Sequence, residues 1–87
     1  MYVLIVYDIS VERVTKVHKC LKCYLNWRQN SVFEGELTEA QIEAVKNDLR
    51  NIMDNKTDSV LFYIARDEKW LRREEMGNQR GTTSNLL

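Results

Sequence analysis

The chain has 87 residues, 44% of them hydrophobic and 30% charged, and its 13 basic residues are balanced by 13 acidic ones. That composition excludes a disordered polymer, a bilayer-spanning chain and a general polyanion binder, and it bounds the fold to one domain. A core of this size is near the lower limit for a lone chain, where association with a second copy often helps.

Tyr2-Val3-Leu4-Ile5-Val6-Tyr7 is an unbroken apolar and aromatic run that stops at Asp8. Its β-branched members suit a pleated strand, and the lack of polar alternation predicts a strand covered on both faces. Asp8 then stands where a rigid strand opens into a loop, a place where side chains are both held and exposed. Ser10 is a candidate N-cap and Glu12 suits the first turn of a helix. Val14, Val17, Leu21 and Tyr24 or Leu25 recur at helical spacing, so residues 11–25 read as an amphipathic helix. Arg13, Lys16, Lys19 and Lys22 fall at steps of three and form a basic stripe on its outer side.

Residues 27–34 suit a strand, Gly35 interrupts it, and Glu36-Leu37 is a short return or a bulged continuation. Thr38-Glu39-Ala40-Gln41 fits a capping box. Ile42, Val45, Leu49, Ile52 and Met53 place a second helix over residues 39–53. Val60-Leu61-Phe62-Tyr63-Ile64-Ala65 is the second apolar run and reads as a second central strand. Residues 70–76 fit helix or strand equally. The domain is expected to span residues 1–77, with 78–87 a flexible tail. The N-terminus has neither a basic region nor a small-residue cleavage site, so a cytoplasmic location and no membrane association are expected.

The order of elements is that of an α+β, ferredoxin-like βαββαβ sandwich. Two helices cover only one sheet face, yet both inner strands are apolar throughout. A second copy, joined sheet to sheet about a two-fold axis, is the simplest cover and makes the chain a homodimer. Such an axis near the ends of the first strands brings two Asp8 carboxylates together. That pair is a candidate Mg²⁺ site for phosphodiester chemistry.

Other chemistry is weaker. Cys20-Leu21-Lys22-Cys23 lies inside a helix with no second pair, and two cysteines so placed are packing residues more often than metal ligands. His18 has no evident partner for acid–base work. Trp27 and Phe33 have the rings to stack on nucleobases, but their pattern favours a core.

Several segments together resemble one family. Met1-Tyr2-Val3-Leu4-Ile5-Val6-Tyr7-Asp8-Ile9-Ser10, then Gln29-Asn30-Ser31-Val32-Phe33-Glu34-Gly35-Glu36-Leu37, and Asp58-Ser59-Val60 are similar to the small CRISPR-associated endoribonucleases, the Cas-two proteins of spacer acquisition. The resemblance covers roughly residues 1–77. It implies a ferredoxin-like homodimer with facing sheets, and an additional C-terminal strand near residues 72–76 that pairs with the partner's sheet. It implies Asp8 from each chain as catalytic residue and Mg²⁺ ligand, with RNA or DNA as substrate. Tyr7 matches the family's aromatic before the aspartate, and Ser31 and Phe33 match its Ser-Val-Phe motif. The resemblance also implies a partnership with the Cas-one integrase, in which the dimer is a non-catalytic scaffold that holds DNA.

Arg13, Lys16, Lys19 and Arg28, with Tyr7, are the expected nucleic-acid contacts. The family often has clustered arginines early in the first helix, whereas only Arg13 qualifies here and Lys16 follows a turn later. Lysine lacks the planar fork that grips phosphate, which weighs against strong intrinsic cleavage. Three readings follow: a Mg²⁺-dependent nuclease, a DNA-binding scaffold, and a small-ligand regulatory module, the last without any ligand signature.

Overall fold

A computed structural model of the chain describes residues 1–78. Strand β1 (Tyr2–Asp8) leads into helix α1 (Val11–Lys22). A hairpin of β2 (Asn26–Gln29) and β3 (Val32–Glu36) follows, then helix α2 (Glu39–Arg50) and strand β4 (Ser59–Ala65), with a single 3-10 turn at Glu68–Trp70. The sheet order is β2-β3-β1-β4 and every neighbouring pair is antiparallel. This is the expected α+β, ferredoxin-like arrangement, with both helices on one face.

The apolar run of β1 meets two environments. Val3, Ile5 and Tyr7 are sunk among Val17 and Leu21 of α1 and Ile42, Val45 and Leu49 of α2. Tyr2, Leu4 and Val6 point to the other face and are only half-buried. The expectation that both faces of β1 are covered is therefore met on one side only within a single chain, because both helices lie on that side. β4 departs further. It is not central but forms the rim of the sheet, and Leu61 and Tyr63 remain 55% and 56% exposed. An unbroken apolar strand with a bare edge is unusual for a molecule that stays alone.

The segment after α1 also differs. The strand expected over residues 27–34 is folded into two by a tight turn at Asn30-Ser31. Asn30 takes φ 41°, a left-handed conformation that asparagine tolerates better than most residues. A bulge between Trp27 and Gln29 leaves Arg28 outside the ladder register. Gly35 does not interrupt β3; the strand runs through it. A Cβ there would stand 3.0 Å from Leu25 Cδ2, so the glycine lets Leu25 close over the strand.

Both helices stop three residues before the predicted ends. Their apolar periodicity continues because a turn after each keeps the chain on the core: the amides of Leu25 and Met53 still donate to Leu21 O and Leu49 O, each at 2.8 Å. The capping box at the start of α2 is formed in full. Gln41 N donates to Thr38 Oγ1 at 3.1 Å, and Thr38 N donates to Gln41 Oε1 at 2.9 Å. Ser10 occupies the N-cap of α1, but its side chain makes no capping bond there. The hydroxyl instead lies 3.5 Å from Thr57 Oγ1.

Residues 71–76 form no ladder within the chain. The expected additional strand is one that pairs with a partner's sheet, and here Arg73 and Glu75 tie the segment to the chain's own outer sheet face. Of the expected tail, residues 79–87 lie outside the described residues. Among the described residues no helix is long and apolar enough to cross a membrane.

Candidate nucleic-acid and metal site

Asp8 is the last residue of the central strand, and the pleat decides where it points. Tyr7 turns toward the helices, so Asp8 turns toward the outer sheet face, where it is exposed and lies opposite Ser59 of β4. Its carboxylate is a hard oxygen donor suited to Mg²⁺. Among the described residues no group of three His, Cys, Asp or Glu side chains is placed to hold a metal. A single chain thus brings one carboxylate to such a site, and the remaining ligands must be water, phosphate or a second chain.

Tyr7 is at the centre of the core instead of on the surface. Only 5% of it is exposed, its ring stacks near Phe33 with centroids 6.2 Å apart, and its hydroxyl lies 3.5 Å from His18 Nδ1. Burial raises its pKa above the usual tyrosine value. So little of Tyr7 is exposed that it offers almost no surface for the expected contact with nucleic acid. Phe33 is fully buried, as the pattern favoured, with His18 edge-on at 5.0 Å. Ser31 sits in the hairpin turn, and its carbonyl accepts from Tyr7 N at 3.1 Å. This residue pair of the motif therefore braces the exit of β1 from the inside. Trp27 is half-buried and donates Nε1–H to Asn30 O at 3.0 Å, closing the same turn.

The expected phosphate contacts divide in two. Arg13 Nε donates to Asp58 Oδ2 at 2.6 Å and Arg13 Nη2 to Asp58 Oδ1 at 3.2 Å, while Nη1 meets Glu12 at 3.2 Å. Arg28 is held by Glu34 Oε1 at 3.0 Å and Glu75 Oε2 at 2.7 Å. Both arginine forks are thus committed to carboxylates of the chain itself. Lys16, Lys19 and Lys22 are exposed and, among the described residues, make no ion pair. The stripe survives as lysines alone. It lies on the solvent side of α1, so the helix and the sheet stand between it and Asp8.

Two carboxylates that the sequence reading passed over prove to be organising residues. Glu34 is 3% exposed on the outer sheet face and receives Arg28, Arg73 and the hydroxyl of Tyr2, the last at 2.6 Å. A signal was available: Glu34 lies directly between Phe33 and Gly35 in a strand that opposes the apolar run of β1, with Leu4 as its partner, and a buried carboxylate there demands cations. Asp58 is also buried, and its side chain is wholly inaccessible. The Arg13 guanidinium, with backbone amides of Asp54 and Ser10, holds its carboxyl well below the usual carboxylate range. Cys20 and Cys23 are free thiols, the first half-buried and the second exposed, and no metal group forms around them among the described residues.

Residues 1–73 match the sequence model of the family described as CRISPR associated protein Cas2. A "CRISPR-associated endoribonuclease Cas2" of Methanosarcina acetivorans is 48% identical over the whole of both chains, and one of Pyrococcus furiosus is 45% identical, again over the whole of both. A solved Cas2 crystal structure superposes with a TM-score of 0.85 at 47% identity, covering 95% of this chain and 93% of the other. Cas2 of Streptococcus pyogenes, crystallised at pH 6.5, does so at 0.76 and 37%, covering 88% and 100%. The same β1 ending in Tyr-Asp, the Ser-Val-Phe hairpin and the four-stranded sheet thus stand on a matching backbone, and the chain belongs to the Cas2 family.

Proposed function

We propose that this chain acts in CRISPR adaptation as a homodimeric, Mg²⁺-dependent endonuclease subunit that binds RNA or DNA and partners the Cas-one integrase. The observation that carries the reading is Asp8, an exposed carboxylate at the end of the central strand, beside a sheet face whose apolar residues are half bare. A second copy laid on that face covers Leu61, Tyr63 and Leu4. It sets two Asp8 side chains near a common axis, and a patch of about 800 Å² per partner suffices for a stable pair. One or two carboxylates with water and phosphate are the donors Mg²⁺ takes. Bound there, the ion supplies positive charge against the phosphodiester oxygens and acidifies a water molecule. The chain's own residues do the rest: β1 holds Asp8 rigidly, the apolar face excludes bulk solvent around it, and Lys16 and Lys19 attract the sugar–phosphate backbone. The naming of close relatives as endoribonucleases supports RNA as one substrate.

The test compares parent and Asp8→Ala, purified identically, for Mg²⁺-dependent cleavage of single-stranded RNA and duplex DNA. Loss of cleavage with an unchanged fold is expected. Cleavage by Asp8→Ala at the parental rate overturns the reading.

A second reading is favoured by one observation. Arg13 and Arg28 are both turned inward onto carboxylates, so the surface offers lysines, which grip phosphate as point charges without a fork. That suits a non-catalytic scaffold that holds DNA for the integrase, and its check is the salt dependence described in the Discussion.

A further inference from the structure

The buried carboxylate of Asp58 is saturated. Oδ1 accepts from Ser10 N at 2.9 Å and from Arg13 Nη2 at 3.2 Å; Oδ2 accepts from Asp54 N at 3.0 Å and from Arg13 Nε at 2.6 Å. Thr57 Oγ1 stands 3.4 Å from Oδ1 and also receives Arg13 Nη2 at 3.1 Å. These bonds converge on one place. Ser10 is two residues beyond Asp8 on the way into α1, and Ser59, next to Asp58, is the ladder partner of Asp8 in β4. The carboxylate therefore ties the exit of β1 to the entrance of β4, from the helix side, directly behind the residue that faces the outer surface. The Ser10 carbonyl accepts from Arg13 N and Val14 N at 2.9 and 3.1 Å, but its hydroxyl makes no capping bond, so Asp58 is the buried side chain that holds the loop between Asp8 and α1.

We propose that Asp58 and Arg13 form a positioning pair that fixes the direction of the Asp8 carboxylate, and that Arg13 serves the site through Asp58 and not by touching phosphate. The proposal rests on the nuclease reading of Asp8. A bidentate guanidinium–carboxylate pair is directional and stiff, which is what a metal-ligating side chain requires from its support. An error of about 1 Å in such support costs on the order of 10²-fold in rate. A phosphate-binding arginine would instead show its effect in substrate affinity and in salt dependence.

The experiment uses full-length parent, Asp8→Ala, Asp58→Asn and Arg13→Gln, each confirmed folded by circular dichroism and assayed well below its own melting temperature. Three quantities are read: kcat and KM for RNA cleavage, Mn²⁺ affinity by titration of the protein alone, and amide hydrogen exchange at Ile9 and Ser10. Asp58→Asn is expected to lower kcat by about 10²-fold with KM nearly unchanged, to weaken Mn²⁺ binding, and to speed exchange in the loop. Arg13→Gln is expected to follow the same pattern more mildly, since the Ser10 and Asp54 bonds persist. It serves alone should Asp58→Asn not fold. A raised KM with parental kcat in Arg13→Gln overturns the proposal, because it makes Arg13 a phosphate ligand. Parental kcat and Mn²⁺ affinity in folded Asp58→Asn, beside an inactive Asp8→Ala, overturn the positioning role while the nuclease reading stands. A parent without cleavage, or an Asp8→Ala that cleaves like the parent, overturns both.

Discussion

Tyr2 donates its hydroxyl to Glu34 Oε2 at 2.6 Å, diagonally across the β1–β3 ladder on the outer face of the sheet. Burial first, and then this hydrogen bond to a carboxylate, push the Tyr2 hydroxyl up to about 12 from the usual 10.0. A raised folded value means that the contribution is complete below pH 10.0 and is lost as pH climbs through about 12. Alkaline unfolding curves should therefore drop more steeply in that window for the parent than for Tyr2→Phe. Equal slopes would show that the phenol contributes nothing there.

Glu34 also holds the segment after β4 through Arg73, and Arg28 bridges it to Glu75. Glu34→Ala removes the acceptor of three groups, each partly able to reach water. The expected loss is about 1–3 kcal/mol of unfolding free energy. Proteolysis should also become faster at Arg72 or Arg73. A variant as stable and as protease-resistant as the parent would show that Glu34 does not hold that segment.

Asp58 gives the opposite pH sign to Tyr2. Its carboxyl is held low by Arg13 and by backbone amides, so its contribution is complete above the usual carboxylate value of 3.8 and is lost as pH falls below it. Acid denaturation of Asp58→Asn should begin from a lower starting stability and show a shallower dependence on pH. Urea titrations at a series of acid pH values measure both.

Leu61→Asp should give a folded monomer. The side chain is more than half exposed in the single chain, so the substitution disturbs little internal packing but places a charge on the proposed dimer face. Sedimentation at micromolar concentration checks this, and a Leu61→Asp chain that still sediments as a dimer removes the facing-sheet arrangement.

Phe33→Ala should behave as a core mutation. The ring is fully buried between Tyr7 and His18, and its loss is expected to cost about 3–5 kcal/mol. Nucleic-acid binding per folded molecule should be unchanged, as measured by titration at a temperature where the variant remains folded. Specific loss of affinity would return Phe33 to a contact role.

Replacing Lys16 and Lys19 by Ala should weaken duplex DNA binding in every sequence context. The slope of log affinity against log salt should fall by about 0.9 for each phosphate contact removed. Binding that ignores salt, in parent or variant, argues against the lysine stripe as the DNA surface.

Much of the layout was legible because it is written in periodicity and capping chemistry. The apolar spacing of α1 and α2 and the Thr38–Gln41 box led to the right elements in the right order. What misled was the assumption that an unbroken apolar run is internal. Val60 to Ala65 has the composition of a central strand but lies at the rim, since the sequence of one chain does not reveal which face another molecule covers. The hairpin is part of the expected order, but its turn falls at Asn30-Ser31 and not at Gly35, because asparagine takes the left-handed backbone that a glycine would usually announce. At the candidate site, Asp8 could be read from strand grammar. Arg13 and Arg28 could not be read in the same way, for their fate depends on Asp58 and Glu34. Arg13 and Asp58 are distant in sequence, and Arg28 meets Glu34 only because the hairpin folds back.

The pleat that turns Asp8 away from the helices fixes how a long polyanion can engage the molecule. On the proposed reading, polynucleotide held by the lysines of α1 runs along the helix side, while Asp8 looks out from the opposite face of the sheet. A strand on those lysines then meets the carboxylate only by passing round the sheet, or by reaching Asp8 of a second copy.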